Sequence, residues 1–280
     1  MREIEVGTVT EAVSRMCMAI NYELSDDMKE ALKKARAEEN SSLGQQILSI
    51  LEENMEIAKQ EQIPICQDTG MAVVFLEIGQ DVHFTGGSLT EAVNEGVRKG
   101  YREGYLRKSV VSDPLLRENT NDNTPAVIHV SLVSGEDVKI TLAPKGFGSE
   151  NMSKVYMLKP ADGEEGVKEA VLDAVKSAGP NACPPIVVGV GIGGTFEQCA
   201  LLSKRALTRP VDSSSGKPHI RRLEEELLEE INQLEIGPAG LGGSVTCLGI
   251  NIETYPTHIA GLPVAVNICC HVNRHISCTI

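Results

Sequence analysis

Apolar residues follow two different patterns along this chain, and the order of these patterns constrains the fold. Early in the chain, apolar side chains return every three or four positions, as in an amphipathic helix. These positions are Ile47, Leu48, Leu51, Met55 and Ala58. Later runs rich in β-branched residues predict strands, at 71–78, 186–191 and 264–270. Because helices come first and mixed elements follow without regular βαβα alternation, we predict an α+β fold with antiparallel β-sheets surrounded by α-helices, as a single domain over residues 1–280.

Short local patterns predict where further elements begin and end. Residues 42–45 and 88–91 each carry Ser at the first position and Gln or Glu at the fourth, which is the pattern of a capping box. The runs 127–133 and 137–142 flank Ser-Gly-Glu, which predicts a β-hairpin. Further helices are predicted at 164–178, 196–207 and 219–234, and a further strand at 245–252.

Composition argues against several classes of protein. The formal net charge of -13 disfavours binding to nucleic acid or to an anionic membrane surface. Aromatic residues make up 3% of the chain and tryptophan is absent, so platforms for base stacking are not expected. The first residues lack the apolar core of a signal peptide, and no stretch reaches the roughly 18 apolar residues of a membrane helix. We therefore expect a cytoplasmic protein whose eight cysteines are thiols or metal ligands.

The segment 63–70, Ile-Pro-Ile-Cys-Gln-Asp-Thr-Gly, carries the clearest chemical signal. Cys66, Gln67 and Asp68 are adjacent, and the flanking proline and glycine disfavour a helix. A turn of this kind presents a soft metal ligand and an acid–base group to the same space.

Two further cysteines, Cys183 and Cys270, lie in loop-like or strand-end settings. Three thiolates gathered by folding would hold an iron–sulfur cluster with one iron open to substrate. The alternative for any free cysteine is a small buried apolar side chain, and the long separations between these three carry no motif signal. That alternative fits Cys17, Cys199 and Cys247 well. Cys278 is expected to be only partly ordered.

Residues 189–194 suggest a different function. The sequence Gly-Val-Gly-Ile-Gly-Gly follows a predicted strand and precedes a helix opened by Thr195, as in a dinucleotide fingerprint. Asp212 lies roughly 20 residues further on, where a ribose-binding acid is expected. However, no second strand follows this helix, and the residues from Arg209 onward form a polar loop. Close backbone packing or anion binding is therefore favoured over a nucleotide site.

Three polar segments have the composition of a carboxylate-binding site. Residues 119–126 are dense in turn-forming amides, and residues 144–151 combine a lysine with glycines that expose backbone amides. Arg107 can offer a guanidinium fork to a carboxylate. Solvated loops are the alternative for each segment, and His258 and His271 are either core residues or lie near the site.

These segments together resemble the class I iron–sulfur fumarate hydratases and their tartrate dehydratase relatives. The chain is similar to the N-terminal portion, or separate alpha subunit, of these enzymes. The matching blocks follow the family order along nearly the whole chain, at 65–70, 107–109, 123–126, 145–151, 182–185, 191–195 and 266–270. The resemblance implies a hydro-lyase that reversibly hydrates fumarate to L-malate, or one that acts on tartrate or methylfumarate (mesaconate).

The resemblance also implies a cofactor and its ligands. The family holds an open-site [4Fe–4S] cluster through three cysteines, which fall on Cys66, Cys183 and Cys270 of this chain. Cys269 leaves an alternative for the third ligand, because the family has a non-cysteine residue at that position.

The implied catalytic acid–base group is Asp68. The implied substrate-binding residues are Gln67, Asp68, Arg107, Gly146, Gly148 and His258. Phe147 stands where the family commonly has a third glycine, so the shape of the glycine cradle is expected to differ.

The resemblance implies a partner as well. Family enzymes require a C-terminal domain that contributes Thr, Arg and Lys to the site, and the printed chain ends at Ile280 without it. We therefore expect inactivity alone, a separate beta subunit, a dimer of heterodimers and a small dicarboxylate substrate. A non-catalytic iron–sulfur or redox-sensing protein is the alternative from another class.

Overall fold

The computed structural model describes residues 1–280, which form two compact units. Unit 1 comprises residues 1–25, 54–147 and 274–280, and unit 2 comprises residues 26–53 and 148–273. The helices are α1 (Val6–Tyr22), α2 (Asp26–Glu38), α3 (Ser42–Glu61), α4 (Leu89–Glu103), α5 (Phe147–Glu150), α6 (Gly163–Ala178), α7 (Phe196–Ala206) and α8 (Pro218–Asn232). The strands are β1 (Arg2–Glu5), β2 (Met71–Gly79), β3 (Val82–Thr85), β4 (Val127–Val133), β5 (Val138–Lys145), β6 (Lys154–Leu158), β7 (Ile186–Gly193), β8 (Cys247–Tyr255), β9 (Leu262–Cys269) and β10 (Ile276–Thr279).

Unit 1 is organised around strand β2. Its four-stranded sheet has the order β10-β5-β2-β4, and β1 and β3 form a separate parallel pair. Val74 and Leu76 of β2 pack in one core with Val13 of α1 and Val97 of α4. The intervening Phe75 is buried as well, so β2 is enclosed on both faces. This burial explains why β2 is an almost uninterrupted apolar run.

The predicted hairpin between residues 127–133 and 137–142 is wrong. Strands β4 and β5 do not pair, because β2 lies between them, parallel to β4 and antiparallel to β5. The connection passes around the end of β2, where the Gly79 N–H donates to the Asp137 carbonyl at 2.9 Å and the Asp81 N–H donates to the Gly135 carbonyl at 3.0 Å. A strand that is buried on both faces lies in the interior of a sheet, with a hydrogen-bonded neighbour along each edge. This pairing outweighs the turn signal of residues 134–136.

Unit 2 contains a second four-stranded sheet, of order β6-β9-β7-β8. Val188 and Val190 of β7 pack into the core with residues of α6 and α8. The alternating residues Gly189 and Gly191 face α7 instead, and a Cβ at Gly191 would overlap the Cys199 carbonyl oxygen. These glycines therefore permit close contact between a helix and a strand, which supports the packing interpretation over a dinucleotide site.

The α+β class, with sheets flanked by helices, is confirmed. The sheets are mixed, however, since β2–β4 and β7–β8 are parallel pairs. Long connections through helices separate both pairs in sequence, and such connections permit parallel pairing. A single alpha-subunit domain over residues 1–280 stays a prediction. No helix has the length and apolar character needed to cross a membrane.

The two predicted capping boxes have different outcomes. Helix α4 begins as expected, with Ser88 Oγ accepting the Glu91 N–H at 3.4 Å. For α3 the capping serine is Ser41 and not Ser42, because Ser41 Oγ accepts the Gly44 N–H at 3.3 Å. The predicted cap at residue 42 is therefore wrong by one position.

Substitution of Gly191 by alanine should destabilise unit 2, because the added methyl would collide with the α7 backbone. Overpacking of this kind costs about 1–3 kcal/mol or more. Urea unfolding of Gly191→Ala and of the control Gly216→Ala, where a Cβ meets nothing within 4 Å, measures the difference. Equal unfolding free energies for the two variants would contradict the packing interpretation.

Candidate functional site

The loop 62–70 between α3 and β2 carries the adjacent cysteine, glutamine and aspartate of unit 1. Its first half is attached to two helices through Ile65. The Ile65 N–H donates to the Asn21 carbonyl at 2.9 Å, and the Ile65 carbonyl accepts from Asn54 Nδ2 at 2.9 Å. The loop ends at Gly70, whose φ of 77° lies in the left-handed region that favours glycine.

The second half of the loop is held by a buried phenol. The Tyr101 hydroxyl lies 2.7 Å from the Thr69 carbonyl and 3.0 Å from the Gly70 carbonyl, and it donates to this pair. Burial raises the pKa of Tyr101 well above its usual value, so the hydroxyl stays protonated and remains a donor. Asn123 Nδ2 also donates to the Gly70 carbonyl, at 3.2 Å. The chain therefore enters β2 from a fixed position.

Asp68 is half-buried, and both of its carboxylate oxygens accept backbone N–H groups. Oδ1 accepts from Gly70 at 3.0 Å, and Oδ2 accepts from Phe147 at 2.8 Å. A Cβ at Gly146 would lie 3.2 Å from Oδ2, so a side chain there would press on the carboxylate. The end of β5 thus orients Asp68 through main-chain atoms.

Cys66 is half-buried and its sulfur takes part in two short-range contacts. The Asp68 N–H donates to Cys66 Sγ at 3.4 Å, and the thiol lies 3.5 Å from Oε1 of the exposed Gln67.

Two segments that are distant in sequence lie beside this loop in unit 1. Thr69 Oγ1 donates to the Arg107 carbonyl at 3.1 Å. The Ser109 N–H donates to Oδ1 of the buried Asn123 at 2.7 Å. The structure therefore brings the 107–109 and 119–126 segments to the loop, with the Arg107 side chain exposed.

Unit 2 brings the other two predicted ligands to one edge of its sheet. Cys183 precedes β7 and Cys270 follows β9, and these strands are antiparallel, so the start of β7 lies beside the end of β9. His271 Nδ1 lies 3.1 Å from the Cys183 carbonyl oxygen, which links the two turns. Cys183 is exposed and Cys270 is half-buried, whereas Cys269 is only 4% exposed.

The remaining predicted substrate residues of unit 2 lie in different places. Gly148 is near the Cys183 turn, since a Cβ there would lie 4.0 Å from the Asn181 carbonyl oxygen. His258 is exposed in the connection between β8 and β9, at the opposite end of β9 from Cys270. The eight residues of β9 span about 26 Å, so unit 2 does not bring His258 to the two thiols. Its role in the site stays a prediction.

The cysteines outside the predicted ligand set are not exposed. Cys17, Cys199 and Cys247 are buried as expected, and burial raises the pKa of Cys17 and of Cys247 to about 12. Cys278 lies within β10, 3.5 Å from Met16 Sδ, so the expected partial order of that residue is not observed.

Several residues that position the site were missed in the sequence. Tyr101, Asn21 and Arg274 are all buried and contact the loop 62–70 or each other. In unit 2, Asn267 donates to Glu150 at 3.0 Å, and it lies two residues before Cys269. Asn21 lies four residues after Cys17, on the buried face of α1. A polar residue on the buried face of a helix is the one feature of the sequence that could have pointed to Asn21.

The donor set of the chain is suited to an iron–sulfur cluster. Cys66 of unit 1 and Cys183 and Cys270 of unit 2 are at least partly exposed, and each lies outside the regular helices and strands. Within either unit taken alone, no group of three or more His, Cys, Asp or Glu side chains could hold a metal ion. Thiols with some exposure are the chemical type that such a cluster needs, and the assignment of these three as its ligands stays a prediction.

Comparison with known proteins gives a consistent family. The family model described as Fumarate hydratase (Fumerase) matches residues 10–279. A Methanocaldococcus jannaschii protein, named provisionally as L(+)-tartrate dehydratase subunit alpha, is 43% identical over 257 residues and 90% of each chain. The L(+)-tartrate dehydratase subunit alpha of Escherichia coli K12 is 32% identical over 272 residues, which are 96% of this chain and 89% of that one.

The turn that precedes Asn123 should be sensitive to acid. Burial raises the pKa of Asp122, but hydrogen bonds from the Thr124 hydroxyl and amide and from Arg98 outweigh it and lower this pKa to about 2. The unfolded value is about 3.9, so the carboxylate contributes stability that is present above about pH 4 and is lost as the pH falls toward 2.

Asp122→Asn should therefore lower the unfolding free energy at pH 6 by about 1–2 kcal/mol and flatten the loss of stability below pH 4. Thermal unfolding between pH 6 and pH 2.5 measures both effects, with the exposed Asp81→Asn as control. If Asp122→Asn followed the wild-type curve, the carboxylate would not have the role assigned to it.

Proposed function

The chain belongs to the fumarate hydratase (Fumerase) family of hydro-lyases, and from this premise we propose that it is the alpha subunit of an iron–sulfur enzyme that reversibly hydrates fumarate to L-malate. One observation carries the proposal. In unit 1, segments that are far apart in sequence meet around the loop 62–70, namely the Arg107 segment, the Asn123 segment and the end of β5 at Gly146. They bring the Arg107 main chain, the Asn123 amide and the main chain after β5 to the loop that carries the Asp68 carboxylate.

Cys66, Cys183 and Cys270 would hold the [4Fe–4S] cluster, which supplies a Lewis acid for the substrate hydroxyl when it is bound. The exposure of Cys270 and the burial of Cys269 favour Cys270 as the third ligand. Cys269 is the last residue of β9, its backbone pairs with Val187, and only 4% of the residue is exposed.

Asp68 is assigned the proton transfer at C3 of the substrate. Each of its oxygens accepts one N–H, from Gly70 or Phe147, which fixes the carboxylate plane and leaves a lone pair free on each oxygen. Acid–base groups held in this way contribute roughly 10²–10⁴-fold to a rate.

The substrate carboxylates are assigned to Arg107, Gln67, Gly146 and Gly148. The Arg107 guanidinium offers two parallel N–H donors to one carboxylate. Gln67 offers a side-chain amide, and Gly146 and Gly148 allow close approach to the main chain. Positive and amide groups aimed at a carboxylate also stabilise the charge that develops on it as the C3 proton leaves.

Dehydration of L(+)-tartrate is the second candidate function. The names of the relatives favour it, since those at 43% and 32% identity are called L(+)-tartrate dehydratase subunits. L-malate and L(+)-tartrate are both four-carbon dicarboxylates with a hydroxyl next to a carboxylate, so the same groups of this chain serve either. Methylfumarate hydration differs by one methyl group.

The names of the relatives also support a partner, because each is an alpha subunit. We propose that a separate beta subunit completes the site, that the assembly is a dimer of heterodimers, and that it works in the cytoplasm.

The cluster assignment is tested by anaerobic co-expression with the beta subunit. The wild-type pair should absorb near 400 nm, contain iron and sulfide, and hydrate fumarate. Cys66→Ser, Cys183→Ser and Cys270→Ser should each lose iron and activity, while Cys269→Ser keeps both. The assignment fails if Cys66→Ser retains cluster and activity.

Parallel assays with L-malate and L(+)-tartrate decide between the two candidate substrates.

The assignment of Asp68 predicts a separate result. Asp68→Asn should keep its iron content, because the amide preserves the shape of the side chain, but kcat should fall by roughly 10²–10⁴-fold. Steady-state kinetics on the anaerobic pair measure the loss, and the exposed Asp81→Asn serves as the matched control. A kcat within a factor of two of wild type would remove Asp68 from proton transfer.

A further inference from the structure

Arg274 is a buried cation whose hydrogen bonds converge on the loop 62–70. Only 3% of the residue is exposed. Its NH1 group donates to Oδ1 of Asn21 at 2.7 Å, and its NH2 group donates to the carbonyl of Asp68 at 2.8 Å. Both acceptors are uncharged oxygens, and the Nε atom has no hydrogen-bond partner. Burial of a guanidinium whose hydrogen-bond partners are both uncharged costs free energy. We therefore expect a role of Arg274 beyond stability.

Asn21 connects this guanidinium to the other end of the same loop segment. Its backbone carbonyl accepts the Ile65 N–H at 2.9 Å, and its own Nδ2 donates to the Cys17 carbonyl at 2.8 Å. Asn21 is fully buried, which fixes its side chain against α1. Through Asn21 and Asp68, the Arg274 fork therefore spans the segment from Ile65 to Asp68.

We propose that Arg274 is a positioning residue for the reaction, acting through the main chain of Asp68 to set the place of Cys66, Gln67 and Asp68 together. The proposal rests on the proposed function for its kinetic consequences. The Cys66 and Gln67 side chains make only short-range contacts within the turn, and Gln67 is exposed. The Asp68 carboxylate also accepts the Gly70 and Phe147 N–H groups. All three side chains start from a backbone that is held at Ile65, at the Asp68 carbonyl and at Gly70.

The geometry requires arginine in particular. Two N–H groups on one rigid plane reach two acceptors on different elements, whereas a lysine ammonium is a point charge on a flexible stem. A lysine at this position would satisfy one acceptor at a time and leave the loop free to shift. A shift of about 1 Å in reacting groups costs up to about 10²-fold in rate.

Arg274→Lys in the anaerobic pair with the beta subunit should lower kcat by about 10- to 100-fold, while KM changes little. Arg209→Lys is the matched control, because Arg209 is also largely buried but bonds to Glu224 in unit 2. The control should affect stability alone. A wild-type kcat in Arg274→Lys would overturn the proposal.

A second readout does not depend on the enzyme reaction. In the cluster-free full chain, the alkylation rate of Cys66, measured by mass spectrometry, should rise several-fold in Arg274→Lys and stay unchanged in Arg209→Lys. If the wild-type pair shows no hydro-lyase activity, the proposed function fails, while this rate still decides the role of Arg274. An unchanged Cys66 rate in Arg274→Lys would overturn the positioning role.

Arg274→Gln covers the case in which Arg274→Lys does not fold. Gln removes the buried charge and keeps one donor, so the melting temperature should stay equal or rise. Cys66 should nevertheless react faster, and kcat should fall. A purely structural arginine would predict the reverse, with lower stability and unchanged activity per folded molecule, and that result would refute the proposal.

Discussion

The hydrogen bonds from the Tyr101 hydroxyl to the carbonyls of Thr69 and Gly70 are the interaction on which unit 1 depends. They fix the point where the loop 62–70 becomes strand β2, and β2 has neighbours on both sides in its sheet. They also hold the two residues that follow Asp68, whose carboxylate accepts the N–H of Phe147 just after the end of β5. Because the hydroxyl is completely buried, an unpaired carbonyl there would carry the full cost of desolvation. The fold and the candidate site therefore share one anchor.

The candidate ligands are positioned in two different ways. Cys66 lies in a loop that donates a hydrogen bond to α1 and accepts hydrogen bonds from α3 and α4. Cys183 and Cys270 are instead placed by sheet topology, since antiparallel strands β7 and β9 put their flanking turns side by side. The first allows adjacent side chains of different chemistry, whereas the second fixes two identical donors.

The sequence predicted the fold class and most elements, because period and burial are local properties of a helix or strand. It failed at the 127–133 hairpin, where the partner of each strand is β2, which lies far earlier in the chain, and such a partner leaves no local trace. The candidate residues of the site were found through chemical type and through family resemblance. Tyr101 and Arg274 were not found, because their importance comes from the carbonyls that they contact and not from their own neighbours in sequence.

The arrangement of β4, β2 and β5 has a consequence for the order of events on the ribosome. The neighbouring runs 127–133 and 138–145 can meet at once, yet the finished sheet requires β2 between them. The outer strand β10 and the guanidinium of Arg274 belong to residues 274–280, which are synthesised after every residue of unit 2. Unit 1 therefore begins first and is completed second, with the whole of unit 2 made in the interval. The loop that carries Cys66 therefore receives its last support, from Arg274 to the Asp68 carbonyl, only at that stage.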